Sequence, residues 1–177
     1  MNGVADCVVG LFRLTGLVLA LWGFALAAHG QEPQPQDTQS DGTFTAYAYL
    51  TDNFDWLEGF DGTALPAITP KATFAPGERG AIALVFSHPA PNSGLVRISC
   101  QLTATKSDGT VQKFDPTLCH YGPVGPADVF YPSQTTFYFA AGQEDLPGLA
   151  RFDIAVRDLH SDREVTLSVS YAQGGAQ

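Results

Sequence analysis

Apolar and polar residues alternate at every second position over several short stretches of this chain. The first stretch places its apolar side chains at Phe44, Ala46, Ala48 and Leu50. The same pattern recurs over residues 82–86, 95–105, 110–114, 135–140, 151–157 and 164–171. Gly, Pro, Asp and Asn separate the stretches, and no amphipathic helix pattern follows residue 43. Since this periodicity is typical of strands, we predict an all-β protein: a two-sheet antiparallel sandwich of about seven strands, with a barrel as the alternative.

A second pattern lies near the C-terminus, in residues 146–158 (LPGLARFDIAVRD). A Pro-Gly corner enters a strand that ends in Val-x-Asp, and a polar turn and another alternating strand follow. This arrangement resembles the last hairpin of bacterial immunoglobulin-like and fibronectin-type modules. The resemblance implies an immunoglobulin-like sandwich, a fold shared by many unrelated functions, so it implies no catalytic residue. The chain departs from antibody-type domains, because Cys100 and Cys119 are too close in sequence for a bridge between the sheets.

The N-terminal residues carry an export pattern. An apolar run over residues 8–28 ends with small residues at the two positions that a signal peptidase inspects, Ala28 and Gly30. This predicts a signal peptide over residues 1–30 and a mature protein that is periplasmic or secreted. The alternative is an uncleaved membrane anchor, which Arg13 in the middle of the run disfavours. After signal cleavage we expect no stable membrane anchor.

The remainder of the chain has the composition of a folded, acidic domain. Residues 31–42 (QEPQPQDTQSDG) offer no apolar side chain to bury, which predicts a disordered polar linker before a β-sandwich domain over residues 43–174. Hydrophobic residues make up 45% of the chain and charged residues 15%, as expected for a chain with a core. The net charge is −9 and the Lys and Arg residues are scattered, so we predict no nucleic-acid partner.

The cysteines agree with export. Cys7 lies inside the predicted signal peptide, which leaves Cys100 and Cys119 in the mature chain. Two lone cysteines in an oxidising compartment most often form a disulfide, which here would stabilise the fold by about 3 kcal/mol. The alternative is a reactive or metal-binding thiol, which His120 beside Cys119 suggests. No CxxC motif and no second Cys/His pair at ligand spacing support that alternative.

The most unusual local sequence is acidic and aromatic, over residues 52–62 (DNFDWLEGFDG). It contains four candidate calcium ligands, Asp52, Asp55, Glu58 and Asp61. Calcium prefers clustered carboxylate and carbonyl oxygens, but the three-residue spacing differs from that of the EF-hand loop. The alternative is a solvated loop whose aromatic side chains cover the end of the sandwich.

Aromatic residues are the candidates for binding a partner, because they bury large areas at little cost in conformational entropy. The candidates are Trp56, Phe60, Tyr121 and Tyr131. The two tyrosines lie in residues 115–133, whose Pro and Gly content predicts a long loop. Packing of these rings in the core is the alternative. Tyr138 alternates with Phe137 and Phe139, so we expect it to face the opposite side of its strand, where it is a further candidate for a binding face.

Catalytic spacing is absent from the sequence. His88, His120 and His160 are candidate bases, but the chain has no GxSxG, no HExxH and no Gly-rich phosphate loop. We therefore predict a non-catalytic immunoglobulin-like module that binds a protein partner in the cell envelope or the extracellular space, without a cofactor. The alternatives are a domain that binds a small ligand, either carbohydrate or calcium, and a hydrolase whose site no motif reveals.

Overall fold

The computed structural model describes residues 34–142 and 148–173. These residues form two β-sheets and no helix, which confirms the all-β, two-sheet fold. In this part of the chain, then, there is no helix with the length and apolar character needed to cross a membrane. The predicted signal peptide, residues 1–30 with Cys7, lies outside the described residues, as does the predicted domain end at residue 174.

The described residues contain eleven strands. They are β1 (Asp37–Asp41), β2 (Phe44–Thr51), β3 (Thr73–Phe74), β4 (Arg79–Ser87), β5 (Leu95–Thr105), β6 (Val111–Lys113), β7 (Thr117–Pro123), β8 (Phe130–Pro132), β9 (Phe137–Ala140), β10 (Gly148–Asp158) and β11 (Glu164–Gln173). Sheet A has the order β1-β2-β4-β8, and β9 also pairs with β4. Sheet B has the order β3-β11-β10-β5-β6, and β7 also pairs with β5. All pairs are antiparallel except β3 with β11.

The core lies between the two sheets, and the alternation in the sequence fills it. Along β10 the side chains of Phe152, Ile154 and Val156 are buried, whereas the residues between them are more exposed. β5 and β11 follow the same rule in sheet B, and β2 presents its alternate apolar residues to them from sheet A. Because a shift of one residue would turn every apolar side chain outward, this pattern fixes which face of each strand points inward.

A disulfide joins Cys100 of β5 to Cys119 of β7, with the two Cα atoms 5.7 Å apart. The two strands are neighbours in sheet B, and both cysteines are buried in the core. The predicted pairing is therefore present, and it ties together two strands of one sheet. The register of β5 and β7 shifts between Ile98, which lies opposite His120, and Ser99, which lies opposite Leu118, so Cys119 is the extra residue of β7 at this irregularity.

The predicted long loop over residues 115–133 is wrong for much of its length, because β7 and β8 form within it. Pro123 and Pro132 are the last residues of these two strands. Both strands lie at the edges of their sheets, where the missing backbone N–H of proline is tolerated. The loop that remains between the two strands is residues 124–129.

The prediction of a disordered linker over residues 31–42 is wrong where β1 forms. β1 is polar at every position, and its side chains are mostly exposed. It nevertheless pairs with β2 along its whole length, from Asp37 opposite Ala48 to Asp41 opposite Phe44. Backbone hydrogen bonds, and not burial of apolar side chains, hold this strand in place.

Two carboxylates of β1 close one side of the sandwich. Asp37 accepts a hydrogen bond from the backbone N–H of Ser168 (2.6 Å), and Asp41 accepts one from the N–H of Glu164 (3.2 Å). On this side of β11, β3 pairs only with the last two residues. The carboxylates therefore accept hydrogen bonds from backbone N–H groups of sheet B that pair with no described strand. They join the two sheets, and we call this side of the sandwich the closed side.

The Val-x-Asp end of β10 has a structural role. The carboxylate of Asp158 is fully buried and accepts hydrogen bonds from the backbone N–H of Ala90 (2.7 Å) and the hydroxyl of Ser161 (2.6 Å). It thereby links the β4–β5 connection to the turn between β10 and β11. Since a buried carboxylate needs such donors, this aspartate fixes two loops at one end of the sandwich.

Residues 52–72, which connect β2 to β3, cover the outer face of sheet A. A second apolar cluster forms there from Tyr49, Trp56, Ile68, Ala83 and Val85. β4 is consequently buried on both faces, which explains why its sequence (RGAIALVFS) is apolar almost throughout instead of alternating. The aromatic side chains of this connection thus cover a face of the sandwich, where the sequence suggested its end.

The hydrogen bond from Asp37 at the closed side predicts that removal of this carboxylate lowers the free energy of unfolding. Asp37→Ala should lower the free energy of unfolding by about 1–2 kcal/mol, because the N–H of Ser168 loses its acceptor. Thr38→Ala, on the opposite face of β1, is the matched control and should change it by less than about 0.5 kcal/mol. Urea unfolding measures both values, and amide exchange at Ser168 should quicken in the first variant only. Equal effects of the two substitutions would contradict the role of Asp37.

The burial of Tyr49 on the outer face of sheet A predicts an unusual pH dependence of the free energy of unfolding. The Tyr49 side chain is fully buried, and among the described residues its hydroxyl has no hydrogen-bond partner. Burial, reinforced by Tyr47, raises the pKa of Tyr49 to about 12. The unfolded chain releases this proton near pH 10, so the free energy of unfolding should fall as the pH rises from about 10 to 12. Tyr49→Phe should lack this contribution and should be as stable as the wild type at pH 7, or more so by about 1 kcal/mol.

Urea unfolding of both proteins between pH 7 and the alkaline range measures this difference. Any pH dependence that the two proteins share cancels in the comparison. Identical pH dependence of the two proteins would mean that the Tyr49 hydroxyl is solvated in the folded state.

Candidate functional site

The four predicted binding residues do not form one surface. Trp56 is only 6% exposed and packs against the outer face of sheet A, while Phe60 is half-buried with its ring centroid 6.4 Å from that of Trp56. Tyr131 is buried in the core, and its hydroxyl accepts a hydrogen bond from the N–H of Gly125 (2.9 Å). Tyr121 is exposed, on β7. Of the four candidates, only Tyr121 is thus exposed, and Trp56 and Tyr131 are buried.

The four predicted calcium ligands are not brought together either. The carboxylate of Asp52 pairs with the Lys71 ammonium at 2.7 Å, and this hydrogen bond lowers the pKa of Asp52. Lys71 also contacts Glu78. Asp61 instead accepts hydrogen bonds from the backbone and hydroxyl of Thr63. Within residues 34–142 and 148–173, no three His, Cys, Asp or Glu side chains converge as metal ligands.

The histidines occupy separate environments. His120 is buried, its Nδ1–H donates to the carbonyl of Pro132 (2.9 Å), and burial lowers its pKa. His88 is exposed and its Nε2 lies 3.1 Å from Asp128 Oδ1. His160 has a buried Nε2 without a partner in the described part of the chain. The structure thus assigns these predicted bases to a core contact, a surface pair and a turn.

The pair of His88 and Asp128 lies in a groove of about 500 Å³ at one end of the sandwich. Residues 88–91 and 124–129 form most of its walls, and Tyr131 contributes to its floor. His88 and Asp128 both adopt left-handed backbone conformations, with φ of 53° and 65°. The groove retains part of the predicted loop, but its walls are mainly small side chains and prolines.

A different combination of features occurs on the side opposite to the closed side. There a cavity of about 240 Å³ opens between β4 and β9 of sheet A and β5, β6 and β10 of sheet B. Aromatic side chains dominate its lining and include Phe114, Phe137, Phe139, Phe152 and Tyr171. Lys106 is the one charged side chain among the described residues that line it. We call this region the open side.

The edge of β9 beside the cavity has no strand partner among the described residues. Immediately after β9, the N–H of Ala141 donates to the carbonyl of Glu78 at 2.9 Å. Backbone groups alternate in direction along an antiparallel strand, so the N–H and C=O of Tyr138 and Ala140 point away from β4. These four groups pair with no described strand, and we call them the free edge at the mouth of the cavity.

Exposed aromatic side chains flank this edge on its outer side. Tyr138 is 59% exposed, as its alternation with Phe137 and Phe139 predicts. Its ring centroid lies 5.8 Å from that of Phe54, which is also exposed. The guanidinium of Arg79 lies over the Phe54 ring at 5.8 Å. The open side therefore combines a free strand edge, an apolar cavity and an exposed aromatic pair.

The inner rings of β9 are held in place by a glycine on β4. The Phe139 ring packs against Phe74, Phe152 and Tyr171, with centroid distances of 5.0, 4.9 and 5.0 Å. A Cβ added at Gly80 would overlap the Phe139 ring and lie 2.7 Å from Cε1 of Phe74. Only glycine therefore lets these two rings lie against β4.

The exposure of Tyr138 could be deduced from the sequence, but the cavity could not. Its walls come from strands that are distant in the chain, and alternation alone does not reveal which strand faces which. The apolar residues Phe137 and Phe139 were recognisable as one face of a strand, and the signal for a cavity beneath them is absent from the local sequence.

The chain matches no protein family model and no curated protein. Solved structures with a similar arrangement include a family 123 glycoside hydrolase from Clostridium perfringens, at 9% identity over 74% of this chain and a TM-score of 0.42. Others are Spo0M, a sporulation control protein from Bacillus subtilis (10%, 77%, TM-score 0.41), and a Niemann-Pick type C2 protein from the Japanese carpenter ant (10%, 80%, TM-score 0.38). The chain covers 28%, 51% and 98% of these three proteins. None of the three is an immunoglobulin or fibronectin module, and similarity at this level supports no conclusion about activity.

The packing of the Phe139 ring predicts how a methyl group added at Gly80 changes the free energy of unfolding. Gly80→Ala should lower the free energy of unfolding by about 1–3 kcal/mol, because the added Cβ displaces the rings of Phe139 and Phe74. Phe139→Leu removes the overlapping ring edge, so the cost of Gly80→Ala should be smaller in that background. A double-mutant cycle by urea unfolding measures this coupling, and additive effects would contradict the close contact.

Proposed function

We propose that this protein is an exported, non-catalytic β-sandwich module that binds a protein partner through its open side. The observation that carries the proposal is the coincidence, at one place, of a free strand edge, an apolar cavity and the exposed pair of Phe54 and Tyr138. The pattern in residues 146–158 supports an immunoglobulin-like assignment for the module, in which binding by edges and loops is common.

Export is supported by two independent features. The N-terminal residues 1–30 have the order of a secretory signal, and the disulfide between Cys100 and Cys119 suits an oxidising compartment. We therefore place the mature protein in the periplasm or outside the cell, where a small module of this kind meets envelope or extracellular proteins.

A protein partner suits the open side because of its shape. Aromatic side chains at protein interfaces bury large areas with few rotatable bonds, and Phe54 and Tyr138 already contact each other before any partner arrives. The cavity, at about 240 Å³, is smaller than the range of about 300–1,000 Å³ usual for drug-sized ligands. It has room for one side chain of a larger molecule.

A second candidate function is binding of a small apolar molecule in the same cavity. An apolar cavity of about 150 Å³ can accept a molecule as small as benzene, so the volume permits this. A ligand that binds only the folded protein raises Tm. This second function would use the cavity alone and would not depend on Phe54 or Tyr138.

Affinity capture with crosslinking from the native cell envelope, followed by mass spectrometry, tests the proposal. We expect the mature wild-type protein to retain a stoichiometric partner, and the Phe54→Ala/Tyr138→Ala variant to lose at least 90% of it. Tyr121→Ala removes another exposed tyrosine, from the outer face of sheet B, and should retain the partner. Unchanged capture by the double variant, or no partner with folded wild-type protein, would refute binding at the open side.

A further inference from the structure

We propose that Lys71 holds Phe54 against Tyr138 and so preassembles the exposed aromatic pair that the partner binds. Lys71 does this by pairing with two carboxylates, those of Asp52 and Glu78. It is then a positioning residue, which acts through Phe54 and not by touching the partner. This inference rests on the proposed function and names what controls the same surface.

Lys71 joins the two ends of the β2–β3 connection, residues 52–72. Its ammonium lies 2.7 Å from Asp52 Oδ2, so the end of the connection is tied to its first residue. The backbone N–H of Lys71 donates to the carbonyl of Leu50 in β2 (2.7 Å), which fixes the position of Lys71 itself. The ammonium also contacts the carboxylate of Glu78, the residue before β4. One cation thus fastens the start of the connection to two strands of sheet A.

The Phe54 ring lies at this fastened end of the connection. Its centroid is 5.8 Å from that of Tyr138, and the guanidinium of Arg79 lies over it at 5.8 Å. Arg79 directly follows Glu78, so the cation that Phe54 contacts is next in sequence to the carboxylate that Lys71 contacts. The ion pairs and the ring contacts therefore form one continuous set of interactions from Lys71 to Tyr138.

The hydrogen bonds within the turn shape its backbone but do not place it on sheet A. The N–H of Asn53 donates to the hydroxyl of Thr51, and the N–H of Asp55 donates to the side chain of Asn53, both at 3.0 Å. Both bonds stay within residues 51–55. In the described part of the chain, the ion pairs of Lys71 are the polar contacts that tie this turn to the start of β4.

A fixed position of Phe54 matters for binding because its ring is exposed on a connection without strands or helices. A mobile ring would lose conformational freedom when a partner covers it, and that loss reduces affinity. If the ring is already held against Tyr138, part of this freedom has been lost on folding. Lys71 therefore raises the affinity for the partner without contacting it.

The charged groups that face this contact come from two elements. Asp52 and Lys71 belong to the connection, while Glu78 and Arg79 lie at the start of β4; β9 contributes the phenol of Tyr138. The hydrogen bond from Lys71 lowers the pKa of both carboxyl groups. Both groups are therefore ionised at neutral pH, and the ion pairs are lost as the pH falls through the lowered pKa values.

NMR of the mature protein tests the ring contact without any partner. We expect nuclear Overhauser effects between the rings of Phe54 and Tyr138 at pH 7, and their loss as the pH falls from about 5 to about 3. Amide shifts of β10 in the same samples report whether the sandwich stays folded. Lys71→Met should make the ring contact weak at every pH in this range, and Lys71→Arg, which keeps the cation, should restore it. The same contact and pH profile in Lys71→Met as in the wild type would overturn the inference.

Capture from the native cell-envelope extract connects the ring contact to binding. Lys71→Met should lower the amount of retained partner about three- to tenfold, because the aromatic pair is no longer preassembled. Lys71→Arg should retain within about twofold of the wild-type amount. Arg157→Met is the matched control, since it breaks another exposed ion pair, with Asp162, and it should leave capture unchanged. An equal loss in Lys71→Met and Arg157→Met would contradict a specific role of Lys71.

A second variant makes the result independent of how Lys71→Met folds. Asp52→Asn removes the charge and keeps the shape of the side chain, so it should weaken the ring contact and capture in the same direction. If capture requires Phe54 and Tyr138 but is unchanged in Lys71→Met and Asp52→Asn, the proposed function stands and this inference fails. Unchanged capture by the Phe54→Ala/Tyr138→Ala variant refutes the proposed function, and with it the docking role of Lys71, whatever the ring contact does.

Discussion

The carboxylates of Asp37 and Asp41 bond to the backbone N–H groups of β11, and this contact makes the two sides of the sandwich unequal. A sandwich has a gap between its sheets along both sides, and each gap exposes strand edges and the border of the core. On one side, the carboxylates of β1 bridge this gap. On the other side β9 and β6 end their sheets, and the core is reached through a cavity lined by aromatic rings.

This asymmetry is compatible with a stable domain because other features secure the core. The disulfide links β5 to β7 within sheet B, and residues 52–72 cover the outer face of sheet A with Trp56 and Ile68. β4 therefore lies in the middle of three layers, buried on both faces. Burial of apolar surface stabilises a fold by about 25 cal/mol per Å², and these layers bury it on the faces of sheet A, away from the open side.

Strands with one apolar face could be predicted from the sequence, and strands held by other interactions could not. β2, β5, β10 and β11 alternate clearly, so their existence and inward faces follow from the residue pattern. β1 is entirely polar and depends on backbone pairing, while β7 and β8 lie within a stretch whose proline and glycine content indicates a loop. Trp56 and Tyr131 illustrate the same limit at the site: aromatic character alone does not distinguish a core residue from an exposed one, whereas the alternation around Tyr138 does.

An open strand edge is a hazard, since it can pair with another copy of the same chain. β9 limits this hazard by its length of four residues, and a second copy of β9 has no apolar side chain to offer the cavity, because Phe137 and Phe139 already pack against the core.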